Sequence, residues 1–242
     1  LEAEGIAIHT GAKVEPATPE KGGYKVKIAA DGKTIAKSVE TILLAVGRKP
    51  NTEGIGLENA SVRKNPKGFI EVNEFMQTSN HRIYAIGDIV PTPQLAHVAT
   101  AEGIVAVEKI KGAPTHPINY RRIPSCTYCR PEVASIGLTE EEAKKEGHKV
   151  KCGKFPLSAS GKATILDENE GFVKIVAEEK YGEILGLHII GEHATELIAE
   201  GSAILAGELC AEDLARAIHA HPTLSESIME AAHAVTGSAI HC

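Results

Sequence analysis

The chain has 242 residues, 43% of them hydrophobic and 24% charged, which is enough apolar material for a substantial core and excludes a disordered chain. The formal net charge of -6 comes without a basic stripe that could neutralise phosphates, which argues against a nucleic-acid partner. No apolar run approaches the ~20 residues that a membrane-spanning helix needs.

Residues Leu1 to Gly5 carry no signal-peptide pattern. They also begin in mid-pattern, as part of something longer would. Residues 1–48 read as mostly β. Ile6 to His9 is a short apolar-rich run, and Tyr24-Lys25-Val26-Lys27-Ile28 alternates as a half-exposed strand should. Asp31-Gly32 supplies a turn. The run Ile42-Leu43-Leu44-Ala45-Val46 reads as a buried strand, and Gly47 to Asn51 breaks it.

Gly68 to Val72 reads as a strand. Ile83 to Ile86 reads as a second, buried one, followed by Gly87 and Asp88. The glycine lets the backbone come close to a ligand. The carboxylate of Asp88, at the carboxyl end of a strand, could accept hydrogen bonds from sugar-type hydroxyls. A strand ending in an ordinary Gly-Asp turn has the same short spelling. A helix is expected from about Gln94 to Gly112, with its first N–H groups beside Asp88. His97 at its start reads as structural or ligand-adjacent.

Residues 113–122, with Pro114 and Pro117, form a linker. From there on the pattern is α+β. Strands are expected at 132–137, 150–155, 171–177 and 184–190, the last two joined by a turn at 180–183. Thr139 to Glu142 is a capping box that opens a short charged helix. Further helices are expected at 194–206 and 213–218. Cys126 and Cys129 have C-x-x-C spacing, but a zinc site needs two more ligands at short spacing, and although Cys152 and His148 are imaginable, nothing in the pattern points to them. They read as incidental or structural, with no metal site expected. Five cysteines without a dense framework suggest a reducing compartment.

The last informative stretch is His219-Ala220-His221-Pro222-Thr223-Leu224-Ser225-Glu226, followed by Ile228, Met229, Ala232 and Val235 at helical spacing. A carboxylate beside an imidazole orients the ring and favours its protonated form, giving a usable general base. Thr223 to Glu226 also fits a capping box, and on spacing alone the cap is the favoured explanation. His219 is the weaker candidate, a partly buried, hydrogen-bonded histidine.

Two stretches together carry a resemblance. Thr78 to Asp88 resembles the second FAD motif, and His221 to Glu226 the C-terminal signature, of the flavin-dependent pyridine nucleotide–disulfide oxidoreductases. Leu224 after Thr223 is closer to the branch that oxidises dihydrolipoyl groups than to the branch that reduces glutathione disulfide. The resemblance covers essentially the whole chain. It implies an α/β and α+β fold: a remnant of the NAD-binding domain over 1–48, the return segment of the FAD-binding domain over 49–118, and an α+β interface (dimerisation) domain over 119–242.

It further implies FAD and NAD as cofactors, a homodimer, and a cytoplasmic location, or the mitochondrial matrix in a eukaryote. The implied partners are lipoyl domains of 2-oxo acid dehydrogenase or glycine cleavage complexes. His221 is implied as the acid/base, with Glu226 as its orienting partner, acting in the active site of the opposite subunit. Gly87, Asp88 and the backbone N–H at Ala96 are implied as flavin contacts, with Asp88 on the ribityl chain.

The chain also departs from the family pattern. The G-x-G-x-x-G fingerprint that opens a dinucleotide-binding domain is absent, as is the C-x-x-x-x-C redox pair. Val98-Ala99-Thr100 replaces a more polar run. These 242 residues alone are therefore expected to be inactive, with retention of FAD left open. The rival readings are a glutathione-reducing or a mercury-reducing flavoenzyme, the latter suggested by the terminal Cys242, and a dimerising module without catalysis.

Overall fold

A computed structural model describes residues 1–2, 5–30 and 32–241. It divides into two compact units, residues 1–49 and 50–242.

The first unit is one antiparallel sheet of β1 (Lys13–Val14), β2 (Thr18–Glu20), β3 (Gly23–Ala30) and β4 (Lys33–Val39). The alternating Tyr24–Ile28 stretch lies in β3, which pairs with the other three strands. Ala30 pairs with Lys33 across residues 31–32; of the expected turn, Gly32 has φ +71° and Asp31 lies outside the described residues.

Ile42 to Val46 is not a strand. Leu43, Leu44 and Val46 are 89%, 77% and 84% exposed. A continuous apolar run becomes a buried strand only with sheet neighbours and cover on both faces. The described residues of this unit supply a single layer, and none of its strands pairs with this run. Ile6 and Ile8 are likewise exposed and outside any strand.

The second unit begins with a small core of Val62, Ile70, Ala85 and Val90. The strands expected at 68–72 and 83–86 shrink to isolated bridges, Lys64 with Ile70, Val72 with Thr78 and Gln77 with Tyr84. Two asparagines explain this. Asn73 Oδ1 accepts from the N–H groups of Phe75 and Gln77, both at 3.0 Å, and Asn80 Oδ1 accepts from that of Arg82 at 3.1 Å. Such side-chain bonds turn the backbone every few residues and compete with a ladder.

Helix α1 (Ala96–Lys111) follows, closed by Gly112 at φ 69°, with Lys109 and Lys111 complementing the helix dipole in its last turn. Beyond it lies a five-stranded antiparallel sheet in the order β5-β6-β9-β8-β7. Its strands are β5 (Ser125–Thr127), β6 (Glu132–Gly137), β7 (Val150–Pro156), β8 (Phe172–Glu178) and β9 (Ile184–Gly191). The Thr139/Glu142 capping box is present and opens α2 (Glu140–Lys145).

Sequence pattern missed β5, only three residues long, and α3 (Gly161–Leu166), which is capped by Ser160. The helix expected at 213–218 runs instead over Ala211–Arg216 as α5. It starts earlier because the Asp213 carboxylate accepts the Cys210 N–H at 3.0 Å. Ile218 beyond it is fully exposed.

Helices α4 (Ala194–Ala206), α5 and α6 (Glu226–Val235) share one core with the sheet, including Ile136, Val173, Ile175, Leu187, Ile198 and Ile228. Each such side chain contributes about 1.5–3 kcal/mol by leaving water. Two glycines set the closeness of this packing. A Cβ on Gly153 of β7 would lie 2.0 Å from the Ala231 carbonyl oxygen of α6, and one on Gly201 of α4 would lie 2.8 Å from Leu187 Cδ2.

Candidate functional site

Helix α6 carries the first constellation at its amino end. Ser227, Ile228, Ala231, Ala232 and Val235 are buried in it, which fixes its rotation and places Glu226 in the first turn. His221 Nδ1 lies 2.9 Å from Glu226 Oε1, and Glu226 Oε2 accepts the Thr223 N–H at 2.8 Å. The carboxylate therefore pairs with the imidazole and turns back to a backbone N–H at once, one oxygen for each task, while the cap position of α6, Ser225, has no side-chain cap bond. Burial opposes ionisation of Glu226, but the Thr223 N–H and the His221 ring outweigh it and hold the carboxyl below its ordinary range. The His221 side chain is 79% exposed, so the ring is tethered at one nitrogen and open on its other side.

His219 is held differently. Its side chain is 9% exposed, with Nδ1 2.9 Å from the Ala217 carbonyl oxygen and Nε2 2.9 Å from Glu200 Oε1 on α4. Both nitrogens are engaged, so this ring anchors the loop that leads to His221.

A cavity of about 370 Å³ opens beside the pair, lined by Phe155, Ser160, His221, Glu226, Ser227 and Glu230 among others. Glu230 is 2% exposed, accepting the Ile240 N–H at 2.9 Å and facing His241 Nδ1 at 2.5 Å. The residues after α6 thus fold back onto it. Cys242 lies outside the described residues.

The second constellation is the turn before α1. Gly87 has φ +73°, a Cβ on it would come within 3.3 Å of Ala99 Cβ, and Gly87–Ile89 forms one 3-10 turn with Asp88 exposed. Ala96 is the exposed first residue of α1. No side chain caps that helix, and its first turn holds no acidic residue. A backbone cradle beside an uncapped helix start suits an electron-rich ring and a hydroxylated chain. Gln94 Nε2 donates to the Asp88 carbonyl oxygen at 3.1 Å, and His97 Nε2 lies 3.0 Å from the Pro124 carbonyl oxygen. His221, in the loop before α6, thus stands with Glu226 in the first turn of that helix, while Gly87 and Asp88 lie in the 3-10 turn ahead of α1, whose first residue is Ala96.

Glu102, Tyr120 and Glu230 are polar groups at these sites that sequence reading passed over. Glu102 left a signal: it interrupts the otherwise apolar buried positions Val98, Val105 and Ala106 of α1.

Cys126 packs against the main core, while the Cys129 thiol donates to the Pro131 carbonyl oxygen at 3.0 Å. Both are free thiols, and among the described residues no group of three or more His, Cys, Asp or Glu is arranged to hold a metal ion.

Residues 1–103 match the family signature "Pyridine nucleotide-disulphide oxidoreductase", and residues 123–232 match "Pyridine nucleotide-disulphide oxidoreductase, dimerisation domain". The chain belongs to the pyridine nucleotide-disulphide oxidoreductase family. The dihydrolipoyl dehydrogenase of Bacillus subtilis is 49% identical to it over the whole chain, and that of Thermus scotoductus 45%. The chain spans about half the length of these relatives, 51% and 52%. Among solved structures, LpdA from Mycobacterium tuberculosis matches 96% of this chain and 50% of its own, with TM-score 0.85 and 27% identity. The flavoprotein disulfide reductase RclA from Escherichia coli matches 96% of this chain and 52% of its own at TM-score 0.85 and 23% identity, a likeness of fold.

Proposed function

We propose that this chain is the carboxyl half of a dihydrolipoyl dehydrogenase. Its three segments, 1–48, 49–118 and 119–242, are the end of an NAD-binding domain, the return segment of an FAD-binding domain and the dimer interface. The whole protein is a cytoplasmic homodimer that oxidises dihydrolipoyl groups carried on the lipoyl domains of 2-oxo acid dehydrogenase or glycine cleavage complexes. The observation that carries this reading is the His221–Glu226 contact at 2.9 Å in a segment that matches the family's dimerisation domain.

Glu226 fixes the ring through Nδ1, which leaves Nε2 to exchange protons. His221 Nε2 takes the proton of one dihydrolipoyl thiol. The resulting thiolate attacks a disulfide sulfur of the opposite subunit, forming a mixed disulfide and releasing the second enzyme sulfur as a thiolate. The other dihydrolipoyl thiol then gives its proton to the departing enzyme sulfur as it displaces it, which closes the lipoyl disulfide; with the proton held by His221 passed to the first thiolate, the enzyme is left as the dithiol. FAD, with NAD as final acceptor, supplies the two-electron chemistry that reoxidises the dithiol. Gly87, Asp88 and the Ala96 N–H would hold the flavin, and what supports that role is the exposed Asp88 on the turn ahead of α1, whose start carries no side-chain cap and no acidic residue. No residue of this chain is assigned to NAD.

The test is lipoamide-dependent NADH formation by the whole protein. His221→Gln lowers the rate by roughly 10²–10⁴-fold, the worth of a positioned base; an unchanged rate removes His221 from the mechanism. Faster turnover of glutathione disulfide than of lipoamide would move the protein to the glutathione-reducing branch.

A further inference from the structure

Glu102 lies on the buried face of α1 with 0% exposure. A carboxylate withdrawn from water is costly unless hydrogen bonds replace its hydration, and both of its oxygens have one. Oε2 accepts the Gly87 backbone N–H at 2.7 Å, and Oε1 accepts the Tyr120 hydroxyl at 3.0 Å. The two donors belong to separate parts of the chain. Gly87 opens the turn that carries Asp88, and Tyr120 opens the 3-10 turn Tyr120–Arg122 just ahead of the five-stranded sheet. Burial, then the Glu102 carboxylate, push the Tyr120 phenol well above its ordinary value, so it remains a donor.

The Gly87 turn is thus seated on α1 at two points, by the Glu102 bond and by the close approach to Ala99. We infer that Glu102 is a positioning residue of the flavin site: by holding the Gly87 N–H it fixes Asp88 at the amino end of α1, ready for the hydroxyls of the bound chain. This rests on the flavin reading of Gly87 and Asp88 given above. Glu102 acts through Gly87 without touching the cofactor, and Tyr120 only anchors the other carboxylate oxygen.

The experiment compares FAD dissociation constants and melting temperatures of the whole protein and three variants. E102L leaves the Gly87 N–H without its acceptor and raises the FAD dissociation constant about tenfold or more, the size of one buried donor left without its hydrogen bond. E102Q keeps a side-chain oxygen for Gly87 and stays near wild type. Y120F lowers the melting temperature but leaves FAD affinity near wild type, which separates positioning from mere stability. Wild-type FAD affinity in E102L, or equal weakening in Y120F, overturns the inference. If E102L does not fold, E102D decides: one methylene shorter, it retains the charge but draws back from Gly87, and unchanged FAD affinity there sinks the idea. A wild-type protein that holds no FAD sinks the flavin reading itself, and this inference with it.

Discussion

Glu226 satisfies two donors with one carboxylate, and that resolves a choice the sequence left open. Spacing from Thr223 favoured a helix cap, while family resemblance favoured an ion pair with His221. A carboxylate has two oxygens: one faces His221 Nδ1 and the other accepts the Thr223 N–H, but Thr223 Oγ1 donates to the Ala220 carbonyl oxygen, so only half of the capping box is made. Glu226→Gln keeps a side-chain oxygen for the Thr223 N–H but loses the charge that steadies the imidazole. It is expected to lower lipoamide turnover by the whole protein, less than His221→Gln does, with little change in melting temperature. Equal turnover in Glu226→Gln and wild type would show that the ring needs no such partner. The acid range gives a second check. The carboxyls of Glu132, Glu140, Glu226 and Glu230 are all held below their ordinary range, Glu140 at about 2 because Lys144 and Lys174 donate to it. Depressed carboxyls contribute stability that is present above about pH 4.3 and is lost as pH falls through their folded values. Denaturant midpoints should therefore drop steadily from pH 4.5 to pH 2.5.

Sequence pattern located α1, α2, α4, β6, β7, β8 and β9 well, and local chemistry marks an end of several of them: the Gly112 stop, the Thr139 capping box, the turn at 180–183. The elements it misplaced depend on partners or on side chains that bend the chain. Ile42 to Val46 lacks neighbours, and Asn73 and Asn80 break up 68–86. Packing between elements was not legible either, since nothing in the letters marks Gly153 as the place where α6 meets the sheet. Gly153→Ala is expected to cost about 1–3 kcal/mol by forcing α6 off β7, read as a lower urea midpoint. On the same sheet, burial holds the His188 imidazole of β9 below its ordinary value, and its Nε2 lies 3.1 Å from the Leu138 carbonyl oxygen. The unfolded chain takes up this proton near pH 6.5 and the folded one resists it, so stability is complete above that pH and declines below it. The loss of midpoint between pH 7.5 and 5.5 should be smaller in His188→Gln than in wild type; identical slopes would assign the decline to other groups.

At the scale of the molecule, the chain joins the Gly87–Asp88 turn and the segment that matches the dimerisation domain but has neither the dinucleotide fingerprint nor the C-x-x-x-x-C pair. The 242 residues alone are expected to give no lipoamide-dependent NADH formation, and any steady turnover would contradict the assignment of roles. The dimerisation segment should still self-associate, which sedimentation equilibrium of the chain can measure; a monomer at all concentrations would count against it.

The fold-back onto Glu230 has a practical outcome for anyone handling this polypeptide. Its last stretch is no spare thread: Ile240 and His241 supply the donors for a carboxylate that has almost no water. Trimming with carboxypeptidase past residue 240 would strand that acid next to the histidine pocket. A protease clock run alongside a melting curve should therefore show α6 loosening as those residues are lost, and a purification handle spliced in just ahead of Ile240 should do the same harm.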